Sequence, residues 1–373
     1  MSDLNRPPPS GTPDPSQSIE TAVRSGHGRL AADPAGGNYR GYVLAFLVCS
    51  LGLVGCVGGF NAAVDPYGIA GTGIVPTAIE SDRSAKLSLV ENLKQPPDIL
   101  ILGSSRSRPA APAYLQKLTG HTGFNAGVTG GDSVDEWVFT QLMAHRFPGV
   151  PRRYLIFINA GIGGAGVNPQ LASDPRAQPF LTPSQRGTSG ESLLHKISDY
   201  LSVQATRDSL RVVKACVLHS CNHAWFHPDG SLLQSRLRTT AERSRHLAVS
   251  LSAKLAALRL HPVSRGHPSR TNLAAFARLI RWMNAHGATP VVVMNPLHPA
   301  LLRALQQQGF PAHRWAVTYL QALQRKYRFD FIDLTDVRTF HGLPNGFFDP
   351  THVSVQNMHL MLKYIVAHDH GIL

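Results

Sequence analysis

Short apolar runs recur along the chain, and most of them end at a glycine or a polar residue. The clearest runs cover residues 99–102, 154–158 and 290–294, and weaker strand patterns lie at 123–124 and 329–334. Continuous apolar runs of this length are typical of strands that are buried on both faces of a parallel sheet.

Helical periodicity separates these runs, for example at 272–286 and 311–327. This alternation predicts an α/β fold built on a doubly wound, mostly parallel sheet of about five strands. The stretch at about 163–267 carries further helical patterns without an apolar strand. We interpret it as a helical insertion that covers the site and shapes access to it.

The amino-terminal part of the chain has a different composition. Residues 1–40 are rich in proline and small polar residues, so they bury too little apolar area to fold, and we predict a disordered tail. Residues 41–64 are mainly apolar and carry no charge, and this length spans a bilayer as a helix. Arg24, Arg29 and Arg40 precede the span, so the positive-inside rule places the tail in the cytoplasm.

The resulting expectation is a single-pass protein of the inner membrane. After a connecting segment at 65–97, the main domain at 98–373 would lie in the periplasm. Two processing routes remain open: a retained signal anchor, or a cleaved signal in which Leu53-Val54-Gly55-Cys56 resembles a lipoprotein processing site. The long leader and the apolar residues beyond Cys56 favour the anchor.

The net charge of +13 permits an anionic partner. The arginines are scattered and form no basic stripe interleaved with aromatic residues, so we predict no nucleic-acid partner. A surface close to anionic lipid or an anionic polymer explains the charge equally well.

Polar side chains stand where the predicted strands end. Ser104 and Ser105 follow the first strand, Asn159 follows the 154–158 strand, and His298 lies shortly after the 290–294 strand. Ligands bind at the carboxyl edge of open α/β sheets, which makes the two serines candidate nucleophiles and His298 a candidate substrate contact.

A glycine-dense loop follows the short strand at 123–124. It runs from Asn125 through Gly130, and either Asp132 or Ser133 is suited to cap the helix that begins near Asp135. Backbone amides freed by glycine at a helix start form an anion-binding nest, although a tight turn alone also favours glycine.

These blocks, with Asp349-Pro350-Thr351-His352 near the end, resemble in their order the SGNH/GDSL hydrolase superfamily. A membrane anchor followed by Asp-Pro-Tyr-Gly, Gly-Ser-Ser-Arg and a late Asp-x-x-His is similar to the anchored envelope members related to the teichoic-acid D-alanylation and alginate acetylation proteins. The resemblance covers roughly 98–159 and 294–367. It implies a flavodoxin-like three-layer domain.

The resemblance also implies roles for single residues. Ser105 would be the nucleophile, His352 the general base, and Asp349 the residue that orients and stabilises the imidazole. The amides of Ser105 and Gly130 and the side chain of Asn159 would form the oxyanion hole. The residues expected next to the substrate are Ser104, Arg106, Asn125 and His298.

The implied activity is that of an extracytoplasmic serine esterase or O-acyltransferase acting on a cell-envelope polysaccharide or lipid-linked glycan. A membrane-bound O-acyltransferase is the implied protein partner. Ser104 replaces the usual aspartate of the family, and Ala160 follows Asn159 where many hydrolytic members have aspartate. The second departure keeps an alternative open, in which the protein is a catalytically inactive scaffold in an envelope-polymer modification complex.

The middle of the chain holds Cys216, His219, Cys221 and His223 within eight residues. Structural zinc sites use two separated ligand pairs, which this cluster lacks, so we predict no metal and no cofactor. In an exported domain a disulfide between Cys216 and Cys221 is favoured over free thiols.

Overall fold

The computed structural model describes residues 39–65, 82–149, 151–159, 166–186, 198, 200–218, 226–232, 240–260 and 269–373. The chain divides into two units after Gly55, and the sheet lies in the second unit. Several predicted features fall outside the described residues: the tail up to residue 38, the Pro66-Tyr67-Gly68 motif, both boundaries of the insertion, and Cys221 with its two neighbouring histidines. The disulfide therefore stays a prediction.

Five parallel strands form the central sheet, which confirms the predicted α/β class and strand number. They are β1 (Ile99–Gly103), β2 (Gly123–Asn125), β3 (Arg153–Ile158), β4 (Val291–Met294) and β5 (Asp330–Asp333). Their order across the sheet is β2-β1-β3-β4-β5, and every neighbouring pair is parallel. In such an order the chain winds outward in both directions from β1 and β3, leaving a crevice at their carboxyl ends. A separate antiparallel pair consists of β6 (Phe347–Asp349) and β7 (His352–Val353).

The helices precede, separate and follow these strands. They are α1 (Tyr39–Val64), α2 (Asp82–Asn92), α3 (Pro112–Thr119), α4 (Ser133–Arg146), α5 (Pro169–Ser173), α6 (Val203–Leu218), α7 (Thr240–Leu260), α8 (Arg270–Ala285), α9 (Pro299–Gln307), α10 (Pro311–Gln324) and α11 (Val355–His368). Between β3 and β4 lie α5 to α8. Two short 3₁₀ helices cover Gln178–Phe180 and Val337–Phe340.

Both faces of the sheet are buried, which explains the continuous apolar runs. Leu100, Ile156 and Val292 point to the face covered by α2, α4, α8, α9 and α10. Their sequence neighbours, such as Ile101 and Leu155, point to the face covered by α3 and α11. Because successive side chains of a strand alternate between faces, a strand with helices on both sides needs apolar residues at every position.

Helix α1 is long and apolar enough to cross a membrane. Its 26 residues extend over about 39 Å at the usual rise of an α-helix, more than the ~30 Å hydrocarbon core of a bilayer.

Side-chain caps fix two helix starts near the strand ends. Asp132 caps α4 by accepting hydrogen bonds from the amides of Val134 and Asp135, and the Asp135 carboxylate reaches back to the Asp132 amide. The helix therefore begins at Ser133, two residues earlier than predicted. A serine directly before the helical pattern that starts at Val355 predicts an N-cap, and Ser354 does cap α11 through the Asn357 amide.

Candidate active site

Strand β1 ends at Gly103, where only glycine suits the backbone. Its φ is +139°, and a Cβ there would approach the carbonyl oxygen of Phe157 on β3 to 2.6 Å. The chain then turns tightly, since the amide and the hydroxyl of Ser107 both donate to the Ser104 carbonyl at 3.0 and 2.8 Å. This turn presents Ser105, half-buried, at the carboxyl edge of the sheet.

Ser105 lies against His352, although 247 residues separate them in the chain. The Ser105 Oγ is 2.8 Å from His352 Nε2. On the other side of the ring, His352 Nδ1 is 2.7 Å from Asp349 Oδ2. The structure thus brings together all three residues that the sequence assigns to catalysis.

Asp349 is fixed by the turn between β6 and β7. Its Oδ1 accepts hydrogen bonds from the amides of Thr351 and His352 at 2.8 and 3.0 Å. Burial raises the pKa of Asp349, but the hydrogen bonds from His352 and Thr351 outweigh burial and hold the pKa well below its ordinary value. The carboxylate is therefore charged and directs an N–H of the imidazole toward itself, leaving Nε2 toward the serine.

Asn159, at the end of β3, lies beside the serines. Its Nδ2 is 3.4 Å from the Oγ of Ser104, and its Oδ1 accepts a hydrogen bond from the Asn295 side chain at 3.3 Å. Asn295 itself is buried and donates to the Ile158 carbonyl. Sequence reasoning missed Asn295, although its position directly after β4 matches that of Asn159 after β3.

Gly130 lies in an exposed turn with φ +61°. This turn lies against the end of β1, because the Val128 amide donates to the Gly103 carbonyl and a Cβ on Gly131 would come within 2.6 Å of the same oxygen. Among the described residues, the Gly130 amide has no hydrogen-bond acceptor. It is thus available to a ligand next to the serine turn.

The expected substrate contacts divide into two groups. Arg106 is half-buried, and its guanidinium has no hydrogen bond or ion pair among the described residues. Burial lowers its pKa to about 10, although the charge of Asp349 opposes this shift. Ser104 is buried beneath Asn159. These two residues remain next to the candidate nucleophile.

Asn125 and His298 both have structural partners, and the full burial of Asn125 corrects the prediction that it contacts substrate. Asn125 is fully buried, donates to the carbonyls of Ser107 and Ala110, and accepts from the Gly127 amide. His298 caps α9 through Nδ1, and its own amide donates to the Pro350 carbonyl. Both residues shape the loops around the site, because a polar side chain at a strand end also suits a turn or a cap.

Helix α2 holds the glycine-dense turn in place. Asp82 accepts from the amide and hydroxyl of Thr129. Arg83 donates to the Thr129 carbonyl at 2.9 Å and forms a buried, two-pronged ion pair with Asp135. Lys86 donates to the Gly127 carbonyl at 2.6 Å.

Lys86 is fully buried, which is rare for a lysine. Its Nζ also lies 3.3 Å from Asn125 Oδ1 and 4.9 Å from the centre of the Phe226 ring. Burial lowers its pKa to about 7, against the opposing charge of Asp82. The sequence offered only a weak signal for this role, a charged cluster at the start of a helical pattern in the connecting segment.

The chain matches no family model in a scan of protein families and no protein in a search of curated sequences. The functional proposal therefore rests on the geometry of these residues.

Proposed function

We propose that the protein is a serine-dependent acyl esterase or O-acyltransferase of the SGNH/GDSL type, anchored in the inner membrane, with its catalytic domain in the periplasm. Its substrate is an acyl ester on a cell-envelope polysaccharide or lipid-linked glycan. The observation that carries the proposal is the hydrogen-bonded row of Ser105, His352 and Asp349, with distances of 2.8 and 2.7 Å.

In the first half-reaction the Ser105 Oγ attacks the acyl carbonyl carbon while its proton passes to His352 Nε2. The Asp349 carboxylate stabilises the imidazolium that forms. The tetrahedral intermediate then collapses, His352 protonates the leaving oxygen, and the acyl group stays on Ser105 as an ester.

The negative charge of the tetrahedral intermediate needs hydrogen-bond donors around one oxygen. The amides of Ser105 and Gly130 and the Asn159 side chain are the donors at this edge of the sheet. Asn295 supports this role of Asn159, since it occupies the amide oxygen and so directs the NH₂ group toward the serine turn. A preorganised donor of this kind is worth about 100- to 1000-fold in rate.

In the second half-reaction His352 removes a proton from the acceptor, which attacks the acyl-enzyme and releases Ser105. Water as the acceptor makes the protein an esterase, and a sugar hydroxyl makes it a transferase. In a transferase, a membrane-bound O-acyltransferase would supply the acyl group, and α1 would keep the domain near such a partner.

A fluorophosphonate probe tests the nucleophile directly. The full-length protein should be labelled, and mass spectrometry should locate the adduct on Ser105. Ser105→Ala should abolish labelling and the turnover of p-nitrophenyl acetate. Ser104→Ala is the matched control, since it removes a neighbouring hydroxyl that does not contact His352, and its adduct should still be on Ser105.

Equal labelling of the wild type and Ser105→Ala would exclude Ser105. A folded wild-type protein that reacts with neither the probe nor the ester would favour the inactive scaffold instead.

A further inference from the structure

A cavity of about 490 Å³ opens at the carboxyl end of β5. It lies between the turn that joins α9 to α10 and the 3₁₀ helix Val337–Phe340. The residues that line it include Phe310, His313, Arg314, Asp333, Thr335 and Thr339. Its volume is in the range of small-molecule pockets, about 300–1,000 Å³.

His313 and Asp333 form a fixed pair in the wall. His313 Nε2 is 2.7 Å from Asp333 Oδ2, while Asp333 Oδ1 accepts the Thr335 amide at 2.9 Å. The Phe310 ring stacks on His313, with 5.2 Å between ring centres. Phe310 holds a left-handed backbone at φ +38°, a conformation that is unfavourable for an aromatic residue and is concentrated at functional sites.

Thr335 supplies a hydroxyl without a partner. The residue is 5% exposed, and its Oγ1 is buried with no hydrogen-bond partner among the described residues. Leaving such a group unpaired is unfavourable, so a ligand that hydrogen-bonds to it is bound more tightly. The residue lines the cavity, which makes a ligand the natural partner.

The cavity is lined by both positively and negatively charged side chains. Arg314 is exposed and has no ion pair among the described residues, whereas the carboxylates of Asp333 and Asp336 lie in the same wall, where His313 and Arg338 contact them. Two carboxylates disfavour an anion, and the many polar groups disfavour a purely apolar ligand. Hydroxyl groups both donate and accept, so a polyhydroxyl ligand fits a mixed lining of this kind. Leu302 and Phe310 provide apolar surface for its carbon skeleton.

We infer that this cavity binds a sugar unit of a glycan. The lining of the cavity supports this assignment. The further step, that the bound glycan is the substrate of Ser105, rests on the proposed function. Strands β3 and β4 lie between β1 and β5, so three strand spacings of about 4.8 Å separate the cavity from the serine turn by roughly 14 Å along the sheet edge. A short glycan chain held in the cavity therefore reaches Ser105.

Two hydrogen bonds connect the cavity wall to the histidine loop. The Leu297 amide donates to the Thr335 carbonyl, and the next amide, of His298, donates to the Pro350 carbonyl. The segment Leu297–His298 thus links the wall of the cavity to the loop that carries His352.

The test is binding of the full-length protein, in detergent, to an array of neutral and N-acetylated oligosaccharides, followed by titration of the strongest binder. Thr339→Trp fills the cavity from an exposed position and should weaken binding at least tenfold. Thr335→Val removes the buried hydroxyl without changing the shape of the side chain and should weaken it about tenfold. Thr318→Trp, on the exposed side of α10 outside the cavity, is the matched control and should bind as the wild type.

Failure to bind any oligosaccharide, or equal binding by wild type, Thr339→Trp and Thr335→Val, would overturn the inference. The Ser105→Ala variant separates it from the catalytic proposal, since it should keep oligosaccharide binding. Sugar binding without any turnover in the wild type would contradict only the catalytic proposal, and turnover without sugar binding would contradict only the cavity.

Discussion

Ser105, His352 and Asp349 form a hydrogen-bonded row in which each residue affects the protonation or the orientation of the next. A serine hydroxyl is a weak nucleophile unless a base removes its proton, and the imidazole acts as that base only when its Nε2 faces the serine. Asp349 ensures this orientation by accepting the hydrogen bond from Nδ1 at 2.7 Å. In the proposed reaction the serine therefore becomes reactive through a carboxylate that it does not touch.

Asp349→Asn should therefore lower kcat by about 10⁴-fold while the protein stays folded, because the neutral amide favours the wrong tautomer of His352. Steady-state kinetics on an ester substrate measure the change. The substitution keeps the shape of the side chain, and unchanged thermal unfolding would show that the loss is chemical. A variant that retains wild-type kcat would mean that Asp349 does not set the tautomer of His352.

Asn159→Ala should reduce kcat about 100- to 1000-fold with little effect on KM, because an oxyanion donor acts mainly in the transition state. The measurement is the ratio of kcat values on one ester. Asn168→Ala removes the cap of α5, away from the row, and serves as the control. If Asn159→Ala changes KM alone, the residue binds substrate and does not stabilise the oxyanion.

Helix α2 is the element with the largest unexpected role. It follows α1 in the chain, yet Asp82, Arg83 and Lys86 all bind the turn that carries Gly130. A glycine-dense turn is flexible on its own, and these contacts hold its amides in fixed directions. The segment that we expected to serve as a connection therefore positions part of the candidate site.

The Lys86→Met variant tests whether Lys86 is buried beneath this turn, because burial of a lysine makes the stability of the fold depend on pH. The pKa of Lys86 is about 7 in the folded protein against an ordinary 10.5. Between these values the unfolded chain binds a proton that the folded chain does not, so this lysine makes stability rise with pH from about 7 upward. The charged groups acting on it are Asp82, Arg108 and Asp229.

We expect the wild type to gain on the order of 2 kcal/mol between pH 7 and pH 9 relative to Lys86→Met, measured by chemical denaturation in detergent. Lys94→Met, which alters an exposed lysine just beyond α2, should follow the wild type. The same pH dependence in all three proteins would show that Lys86 is not desolvated.

Glu136 in α4 should give the opposite pH dependence. Burial, and then the charges of Asp132 and Asp135, raise its pKa to about 8 from 4.5. The folded state holds a proton that the unfolded chain loses above pH 4.5, so this carboxyl makes stability fall as pH rises from about 4.5 to 8.

Glu136→Gln should therefore be more stable than the wild type at pH 8, by on the order of 3 kcal/mol, and equally stable near pH 4.5. Thermal unfolding at the two pH values measures the difference. The exposed Glu91→Gln is the control and should show no such gain. A destabilised Glu136→Gln at pH 8 would mean that the carboxylate is charged in the fold.

At the scale of the whole molecule, a 26-residue apolar helix precedes a five-stranded α/β unit. Arginines before the apolar span are the feature that sets membrane orientation. The proposed periplasmic location of Ser105 depends on that orientation.

Alkaline phosphatase fused after Leu373 should be active in a Gram-negative host, whereas a β-galactosidase fusion at the same place should not. The mature protein should stay in the membrane pellet and retain the residues before Cys56. Cys56→Ser should change neither result, with Cys49→Ser as the control. Loss of the leader in the wild type and its retention in Cys56→Ser would identify lipoprotein processing instead.

The strands and the catalytic candidates were predictable for different reasons. Helices cover both faces of the sheet, so β1, β3 and β4 had to appear as continuous apolar runs. Strand β5 is less buried and begins and ends at aspartate, and it was predicted from its place in the alternation of strands and helices. Ser105, Asp349 and His352 were found because a family resemblance joined short blocks in order. Asn125 was misassigned because a polar residue at a strand end fits a turn as well as a ligand, and only its buried contacts separate the two roles.

By itself the sequence determined the α/β class, the long apolar helix α1 and the cap at Ser354, because these depend on local periodicity and on neighbours within a few residues. Tertiary structure alone decided that Lys86 is buried under the Gly130 turn, that Asn295 orients Asn159, and that Thr335 faces a cavity beside His313 and Asp333. In each of these three cases the residues that meet belong to different elements of the fold. Their contacts depend on strand order and helix packing, which a local pattern along the chain does not encode.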